Sequence, residues 1–220
     1  MKDLHLRLDG DLPSFETFNQ GSYSLHKGVV PLDGAYDIDV GIIFDCKSNK
    51  YADPVQLKIR VRDALSYGNH SVVVRRSCVT GCYIRNGEPD YHVELAIYTK
   101  CDDGALKLAK GKEHSKPNKR AWESFSPKKL TDLISCKFKG DDLSQYRRCI
   151  CYIKRWRDIH FTSGAPLSIV LIVLAFHWFQ PKKDFFNGNY VDHYAMLNWA
   201  EIILREFRMT TNSQGTSHRL

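Results

Sequence analysis

Two aspartates, Asp37 and Asp39, stand inside the strongly apolar run at residues 35–45, AYDIDVGIIFD. Alternate side chains of a β-strand share a face, so this pattern predicts a strand with both carboxylates on one face. At roughly 6.6 Å between their Cα atoms, two carboxylates can share one or two hard cations, which prefer oxygen ligands. Without a cation the two charges repel each other. The opposite, apolar face is predicted to consist of Ile38, Val40, Ile42 and Phe44.

A third acid, Glu94, lies in a second alternating run, HVELAIY at residues 92–98. Its pattern directs Val93, Leu95 and Ile97 to the core and places Glu94 on the opposite face, together with His92. If the two strands are neighbours, three carboxylates share one sheet face. That arrangement suits a two-metal phosphoryl-transfer site, although a bare pair of strand aspartates is also typical of an exposed, solvated sheet face.

The segment Gln20-Gly21-Ser22 precedes the first acidic strand and supplies groups that suit a phosphate. Gly21 permits close backbone approach, Ser22 offers a hydroxyl, and the start of a following short helix presents unpaired N–H groups. The sequence therefore predicts a phosphate-binding element next to a metal-binding strand.

The elements that position these residues divide the chain into two parts. Strand patterns dominate the first part, which also contains an amphipathic helix over Pro54–Leu65 with Lys58, Arg60 and Arg62 facing outward. A hairpin is predicted over residues 70–100, with its turn at Asn86–Asp90. Helical patterns dominate the second part and cover residues 127–133, 143–158, 166–179 and 193–207.

This order of elements predicts an α+β protein with a mixed sheet rather than a doubly wound parallel sheet. We expect a catalytic sheet lobe at residues 1–115, a helical lobe at 116–208, and an unfolded polar tail at 209–220.

The residues Gln20-Gly21-Ser22, Asp37-Ile38-Asp39 and Glu94 resemble the nucleotidyltransferase superfamily that includes poly(A) polymerases and oligoadenylate synthetases. The stretch NQGSYSLHKGVVPLDGAYDIDVGIIFD is similar to the bacterial cGAS/DncV-like nucleotidyltransferases (CD-NTases), which make cyclic oligonucleotide signals in anti-phage defence. The resemblance implies a palm-type sheet lobe followed by a helical lobe, with the active site in the cleft between them.

The resemblance also assigns roles to individual residues. It implies that Asp37, Asp39 and Glu94 hold two Mg²⁺ ions, with Mn²⁺ as a substitute, and that Gln20, Gly21 and Ser22 line the donor triphosphate. A lysine and a serine also touch the triphosphate in that family, and Lys154 and Ser168 occupy the matching positions. From the sequence alone, Lys154 is nearly as well explained as a surface lysine.

Composition limits the partners and the compartment. The formal net charge of +7 suits a polyanion, and the dense basic segment Lys107–Arg120 is predicted to be a loop, either a solvated linker or an RNA contact. Its few aromatic residues weaken the RNA interpretation. The seven cysteines lack zinc-binding spacing, and the N-terminus lacks a secretory signal, so we expect a cytoplasmic protein. The apolar run Pro166–Phe179 is shorter than a membrane span, so we expect no membrane partner.

The sequence leaves several functions open. The first is an enzyme that joins nucleoside triphosphates, ATP among them, releases pyrophosphate and closes a ring, whose product informs a separate effector protein. A second is nucleotidyl transfer to another acceptor, such as RNA, a small molecule or a protein. A third is a weakened or truncated nucleotide-binding scaffold, because Glu94 is one methylene longer than the family's usual aspartate and relatives usually continue further.

Overall fold

The computed structural model describes residues 13–24, 28–29, 36–66, 70–85, 87–101, 104–207, 209–212 and 215–218. The chain divides into two compact units: the first runs to Lys129, and the second contains the chain from Leu130 onward together with the short segment at 28–29. The lobe boundary expected at residue 115 falls before the strand Ala121–Ser124, which pairs with the strand before it in the sheet of the first unit.

The first unit is built on a sheet of seven strands. The sheet is mixed, as predicted. Its main path runs β1-β2-β5-β4-β3, and β6 and β7 extend it from β5. The pair β2 and β5 is parallel, and all other neighbours are antiparallel. The strands are β1 (Phe15–Asn19), β2 (Tyr36–Phe44), β3 (His70–Val74), β4 (Val79–Arg85), β5 (Glu88–Lys100), β6 (Leu106–Lys110) and β7 (Ala121–Ser124).

The two faces of this sheet have different surroundings. One face carries the core cluster of the first unit, and helix α2 (Pro54–Leu65) packs on it through Leu57 and Val61. The predicted alternation is confirmed, because Val40, Ile42, Phe44, Val93, Leu95 and Ile97 all lie on that face. The other face is apolar only in part, where Ile43, Ala96, Tyr98 and Leu108 form a second buried cluster.

The prediction that Lys58 faces outward from α2 is wrong. Its side chain is fully buried, and its ammonium donates hydrogen bonds to the carbonyl oxygens of Arg75, Arg76 and Gly111. These three acceptors satisfy a buried cation that the amphipathic pattern alone assigns to solvent. Burial nevertheless lowers the pKa of Lys58 to about 8. Lys58 thus ties the helix to two separate loops.

The basic segment Lys107–Arg120 is not a simple loop. Most of β6 lies within it, and a turn of 3₁₀ helix follows at Pro117–Lys119. Some of its charges are also neutralised inside the protein: Arg120 Nη1 lies 2.5 Å from Asp53 Oδ2, and Lys110 donates to Ser77. The alternation of leucine with lysine in β6 serves the sheet, since Leu108 is buried.

The second unit is helical, as predicted. It contains α3 (Lys129–Lys137), α4 (Gly140–His160), α5 (Ser168–Trp178) and α6 (Asp192–Glu206), and its core includes Tyr146 and Trp199. Among the described residues no helix is both long enough and apolar enough to cross a membrane. The tail is not simply unfolded, because β8 (Met209–Asn212) and β9 (Gly215–His218) pair as an antiparallel ladder.

Candidate active site

The three predicted acids lie on neighbouring strands of one sheet face. In the parallel pairing of β2 with β5, Asp39 stands opposite Glu94 and Asp37 stands opposite His92. The Nδ1 atom of His92 lies 3.5 Å from Oδ1 of Asp37. Because paired residues of adjacent strands point to the same side, Asp37, Asp39, Glu94 and His92 share a face. The sequence predicted a shared face only if the two strands are neighbours, and the structure confirms that they are.

Burial, together with the neighbouring negative charges, raises the pKa of Asp39 to about 6. Burial contributes most to this rise, and the negative charges of Glu94 and Asp37 add to it. A bound divalent cation would remove this penalty, so the donor set of three carboxylates fits the implied metal ions. In the part of the chain that the structure describes, however, no three His, Cys, Asp or Glu side chains already converge as a metal cluster. Closing on a cation therefore requires rotations of the side chains.

Gly21 provides space for the central acid of this face. Its φ is +64°, and a Cβ built on it would lie 1.9 Å from Oδ2 of Asp39. The backbone N–H of Gln20 donates to the carbonyl oxygen of Asp39 at 3.0 Å. Sequence reasoning predicted that this glycine admits a phosphate. In the structure the group in contact with it is the Asp39 carboxylate, so its first role is to let the segment 20–22 lie directly against the acidic strand.

The remaining residues of this segment are also positioned by local contacts. Gln20 Oε1 accepts a hydrogen bond from the hydroxyl of Tyr98 at 3.0 Å. Ser22 is partly buried in α1 (Gly21–Ser24), and Ser24 Oγ closes this helical turn by donating to the Gly21 carbonyl at 2.9 Å. Gln20, Gly21 and Ser22 are therefore brought together beside Asp39. Sequence reasoning missed Tyr98, because it is 78 residues from its partner.

The acidic face continues onto β4. Thr80 stands opposite Glu94 in the antiparallel pairing, and Cys82 stands opposite His92. Thr80 is buried and its side chain contacts Cys78 Sγ at 3.5 Å. These residues could not be assigned to the site from the sequence, since the register between β4 and β5 depends on the hairpin and on its irregularity at Tyr83 and Ile84.

Lys154 and Ser168 lie in the second unit, on α4 and at the first position of α5. Lys154 is only 5% exposed, so it is not an ordinary surface lysine, and burial lowers its pKa. Ser168 Oγ accepts a hydrogen bond from Arg157 Nη1 at 2.9 Å, and Arg157 also binds the Pro166 carbonyl and Asp158. Arg157, which was not predicted as a site residue, lies three residues after Lys154 on the same helix and positions the serine hydroxyl.

Comparisons with known proteins identify the fold. Residues 15–98 match the family described as the nucleotidyltransferase domain of DncV-like cyclic GMP-AMP synthase. Escherichia coli DncV in its 3′-deoxy GTP bound form superposes with a TM-score of 0.65 at 20% identity, covering 88% of this chain and 52% of that one. Vibrio cholerae DncV, a cyclic AMP-GMP synthase, in complex with the linear intermediate 5′-pppA(3′,5′)pG gives 0.65 at 16% identity, covering 94% and 58%.

A third structure agrees with these two. The Bradyrhizobium diazoefficiens CD-NTase CdnG in complex with GTP superposes with a TM-score of 0.63 at 15% identity, covering 96% of this chain and 72% of that one. The present chain spans about half the length of the DncV proteins that it matches. No curated protein sequence matches it. The α+β fold predicted from the sequence is confirmed.

Proposed function

We propose that this chain, in which residues 15–98 form a DncV-like nucleotidyltransferase domain, joins nucleoside triphosphates into a cyclic di- or oligonucleotide and releases pyrophosphate. The observation that carries the proposal is the pairing of Asp39 with Glu94 on a face that also holds Asp37, with Gly21 against the central carboxylate. A crowded acidic face directly beside a phosphate-binding segment suits nucleotidyl transfer better than passive binding.

In the proposed reaction a ribose hydroxyl of one nucleotide attacks the α-phosphorus of another. A new phosphorus–oxygen bond forms, the bond to pyrophosphate breaks, and the hydroxyl proton leaves to solvent. A second such attack within the linear product closes the ring. The work of the protein is to hold the reacting groups in line and to stabilise charge that develops on the phosphate oxygens.

Each proposed site residue has a role in that scheme. Asp37, Asp39 and Glu94 would hold two Mg²⁺ ions, or Mn²⁺ in their place, which supply activation of the hydroxyl and neutralisation of the triphosphate. Ionised carboxylates are required for this role, and a bound cation would favour the ionised form of Asp39, whose pKa is raised in its absence.

The donor triphosphate would be bound by neutral and cationic donors. The main chain of Gln20 and Gly21 lies against Asp39, and the adjacent Gln20 carboxamide and Ser22 hydroxyl would offer hydrogen bonds to phosphate oxygens. From the resemblance to the CD-NTases we also assign triphosphate contacts to Lys154 and Ser168. Lys154 is only 5% exposed, and Ser168 Oγ is positioned by Arg157 Nη1 at 2.9 Å, so neither is an ordinary surface side chain.

The proposal extends to the role of the product. A cyclic nucleotide made by such a protein would act in the cytoplasm as an anti-phage signal, sensed by a separate effector protein. The resemblance of this chain to the bacterial CD-NTases supports this assignment.

The test is incubation of the purified chain with the four labelled nucleoside triphosphates and Mg²⁺ or Mn²⁺, then phosphatase treatment and chromatography. A phosphatase-resistant product, absent with Asp37→Asn/Asp39→Asn, is expected. The matched control is Asp45→Asn, an exposed aspartate directly after the end of β2, which should leave product formation unchanged.

Other results would redirect the assignment. Nucleotide binding that depends on Asp37 and Asp39 but yields no product would identify the weakened scaffold. Labelling of added RNA or protein instead of a small cyclic product would identify a different acceptor. Absence of both nucleotide binding and product would contradict the proposal.

A further inference from the structure

Tyr98 places a single polar atom inside an apolar layer of the first unit. It lies on β5, on the same sheet face as Glu94, and its side chain is fully buried. The rings of Phe18 and Phe125 have their centroids 5.8 Å and 6.1 Å from its own. The hydroxyl donates to Oε1 of Gln20 at 3.0 Å.

This hydroxyl needs an acceptor, because a buried donor without one carries a desolvation penalty. Burial also raises the pKa of Tyr98, so the proton stays on the oxygen at any ordinary working pH. Reversing the carboxamide of Gln20 would bring its NH₂ group to the hydroxyl and deprive the hydroxyl proton of that acceptor. The oxygen of the carboxamide is therefore the atom that faces Tyr98.

The orientation has a consequence for the other end of the carboxamide. Since Oε1 is bound to Tyr98, Nε2 and its two N–H donors are not the atoms that face this hydroxyl. The main chain of Gln20 is fixed as well, because its N–H donates to the carbonyl oxygen of Asp39 at 3.0 Å. The side chain is thus held at both ends, and the two N–H donors of Nε2 remain for other acceptors.

The packing around Tyr98 keeps this arrangement in place. Phe18 lies two residues before Gln20, and its ring occupies the space above Gly41, where a Cβ would lie 2.2 Å from the ring atoms. Gly41 thereby lets Phe18 pack close to the sheet and against Tyr98. The end of β1 is anchored by apolar contacts on one side and by the Tyr98 hydroxyl on the other.

We propose that Tyr98 is a positioning residue that fixes the Gln20 carboxamide with its N–H donors toward the oxygens of a bound nucleoside triphosphate. This inference rests on the proposed function, and it concerns a residue that need not touch the substrate. A freely rotating carboxamide would present its oxygen to the anion part of the time and would repel it. Fixing the amide removes that unproductive orientation before the substrate binds.

The experiment compares Tyr98→Phe, Gln20→Ala and the double variant with the wild-type chain. Tyr98→Phe keeps the ring and removes only the hydroxyl. The matched control is Tyr146→Phe, since Tyr146 is also fully buried and its hydroxyl donates to the carbonyl oxygen of Ile172 at 3.1 Å in the second unit. Thermal unfolding, calorimetric binding of ATP and of GTP with Mg²⁺, and steady-state kinetics are measured for each.

Tyr98→Phe should weaken triphosphate binding and raise KM about tenfold, the loss expected for one hydrogen bond to a charged group. We expect kcat to change by less than about threefold, because the positioned amide binds substrate and transition state alike. In the Gln20→Ala background Tyr98→Phe should have no further effect on binding. Tyr146→Phe should reduce thermal stability to a similar extent without a change in KM.

Two results would overturn the inference while leaving the proposed function intact. The first is wild-type binding affinity in Tyr98→Phe, and the second is additivity of the two single substitutions, which would show that Tyr98 does not act through Gln20. If the wild-type chain binds neither ATP nor GTP in Mg²⁺, both proposals are wrong.

Discussion

Gly21→Ala is the substitution whose effect follows most directly from the geometry of the site. An alanine at φ +64° adopts the left-handed conformation, which costs an L-residue about 1–2 kcal/mol. Its Cβ would also lie 1.9 Å from Oδ2 of Asp39, far inside the ~3.5 Å at which nonbonded atoms normally rest. The Asp39 carboxylate must therefore move by more than about 1 Å to restore an ordinary contact.

The backbone strain and the displacement of Asp39 affect different measurements. Backbone strain lowers the free energy of unfolding by about 1–2 kcal/mol, which for a chain of this size is a fall of roughly 2–8 °C in Tm. Displacement of a catalytic group by about 1 Å can reduce turnover about 100-fold. We therefore expect a modest loss of stability and a loss of about two orders of magnitude in nucleotidyl transfer. Thermal unfolding and product formation measure the two separately.

Gly188→Ala is the matched control for this prediction. Gly188 has a φ of +70°, and a Cβ on it would meet no atom within 4 Å. The control therefore carries the same backbone strain without the contact. It should lower Tm to a similar degree and leave activity unchanged. Wild-type turnover in Gly21→Ala, or an equal loss of turnover in Gly188→Ala, would refute the reasoning.

Two further predictions concern buried charge. The pKa of Asp39 near 6, against 3.8 for the free group, means that the folded protein binds this proton more tightly than the unfolded chain does. Asp39 therefore destabilises the metal-free protein above about pH 6, and the penalty disappears as the pH falls through 6 toward 4. Asp39→Asn should accordingly raise the free energy of unfolding by about 1–2 kcal/mol at pH 7.5, after allowance for partial exposure, and by nothing near pH 3.5. Equal stabilisation in denaturant titrations at both pH values would contradict this account. Lys58→Met leaves the carbonyls of Arg75, Arg76 and Gly111 without their donor, so it should cost about 3–5 kcal/mol of stability in the same assay. Lys110→Met, which loses one hydrogen bond to the Ser77 hydroxyl and a partly exposed ion pair with Glu123 at 3.9 Å, is its control and should cost about 1 kcal/mol.

The acidic strands were predictable because their signal is local. Alternation within β2 and β5 assigns Asp39 and Glu94 to the polar side of each strand, whatever the rest of the fold. The core confirms that assignment, with Ile42 and Ile97 on the opposite face. Helix α2 was likewise predicted with its observed bounds from its amphipathic spacing, and in the structure Asp53 caps its first turn and Pro54 begins it.

The contacts that tune the site were not predictable in the same way. Lys58 looks like any outward lysine of an amphipathic helix, and the carbonyls that bury it lie 17, 18 and 53 residues away. The strand β6 was not predicted because its density of lysines favours a loop, although Leu108 is buried and Leu106 is partly buried. Such features depend on which distant backbone segments meet, and periodicity carries no information about that.

The sheet face that carries Asp39 and Glu94 also explains why these acids can lie close together without disturbing the strands. From Gly41 onward this face is dry: Ile43, Ala96 and Tyr98 pack as one cluster, while Asp39 and Glu94 occupy the adjoining part of the same two strands. The parallel hydrogen bonds between β2 and β5 run through both parts, so the apolar part fixes the register of the acidic part. The repulsion between the carboxylates therefore does not shift the two strands, because the apolar residues hold their backbones in register. The backbone of such a site is in place before a cation arrives, so that only side-chain rotations remain, and the cost of holding the acids together appears in the raised pKa of Asp39.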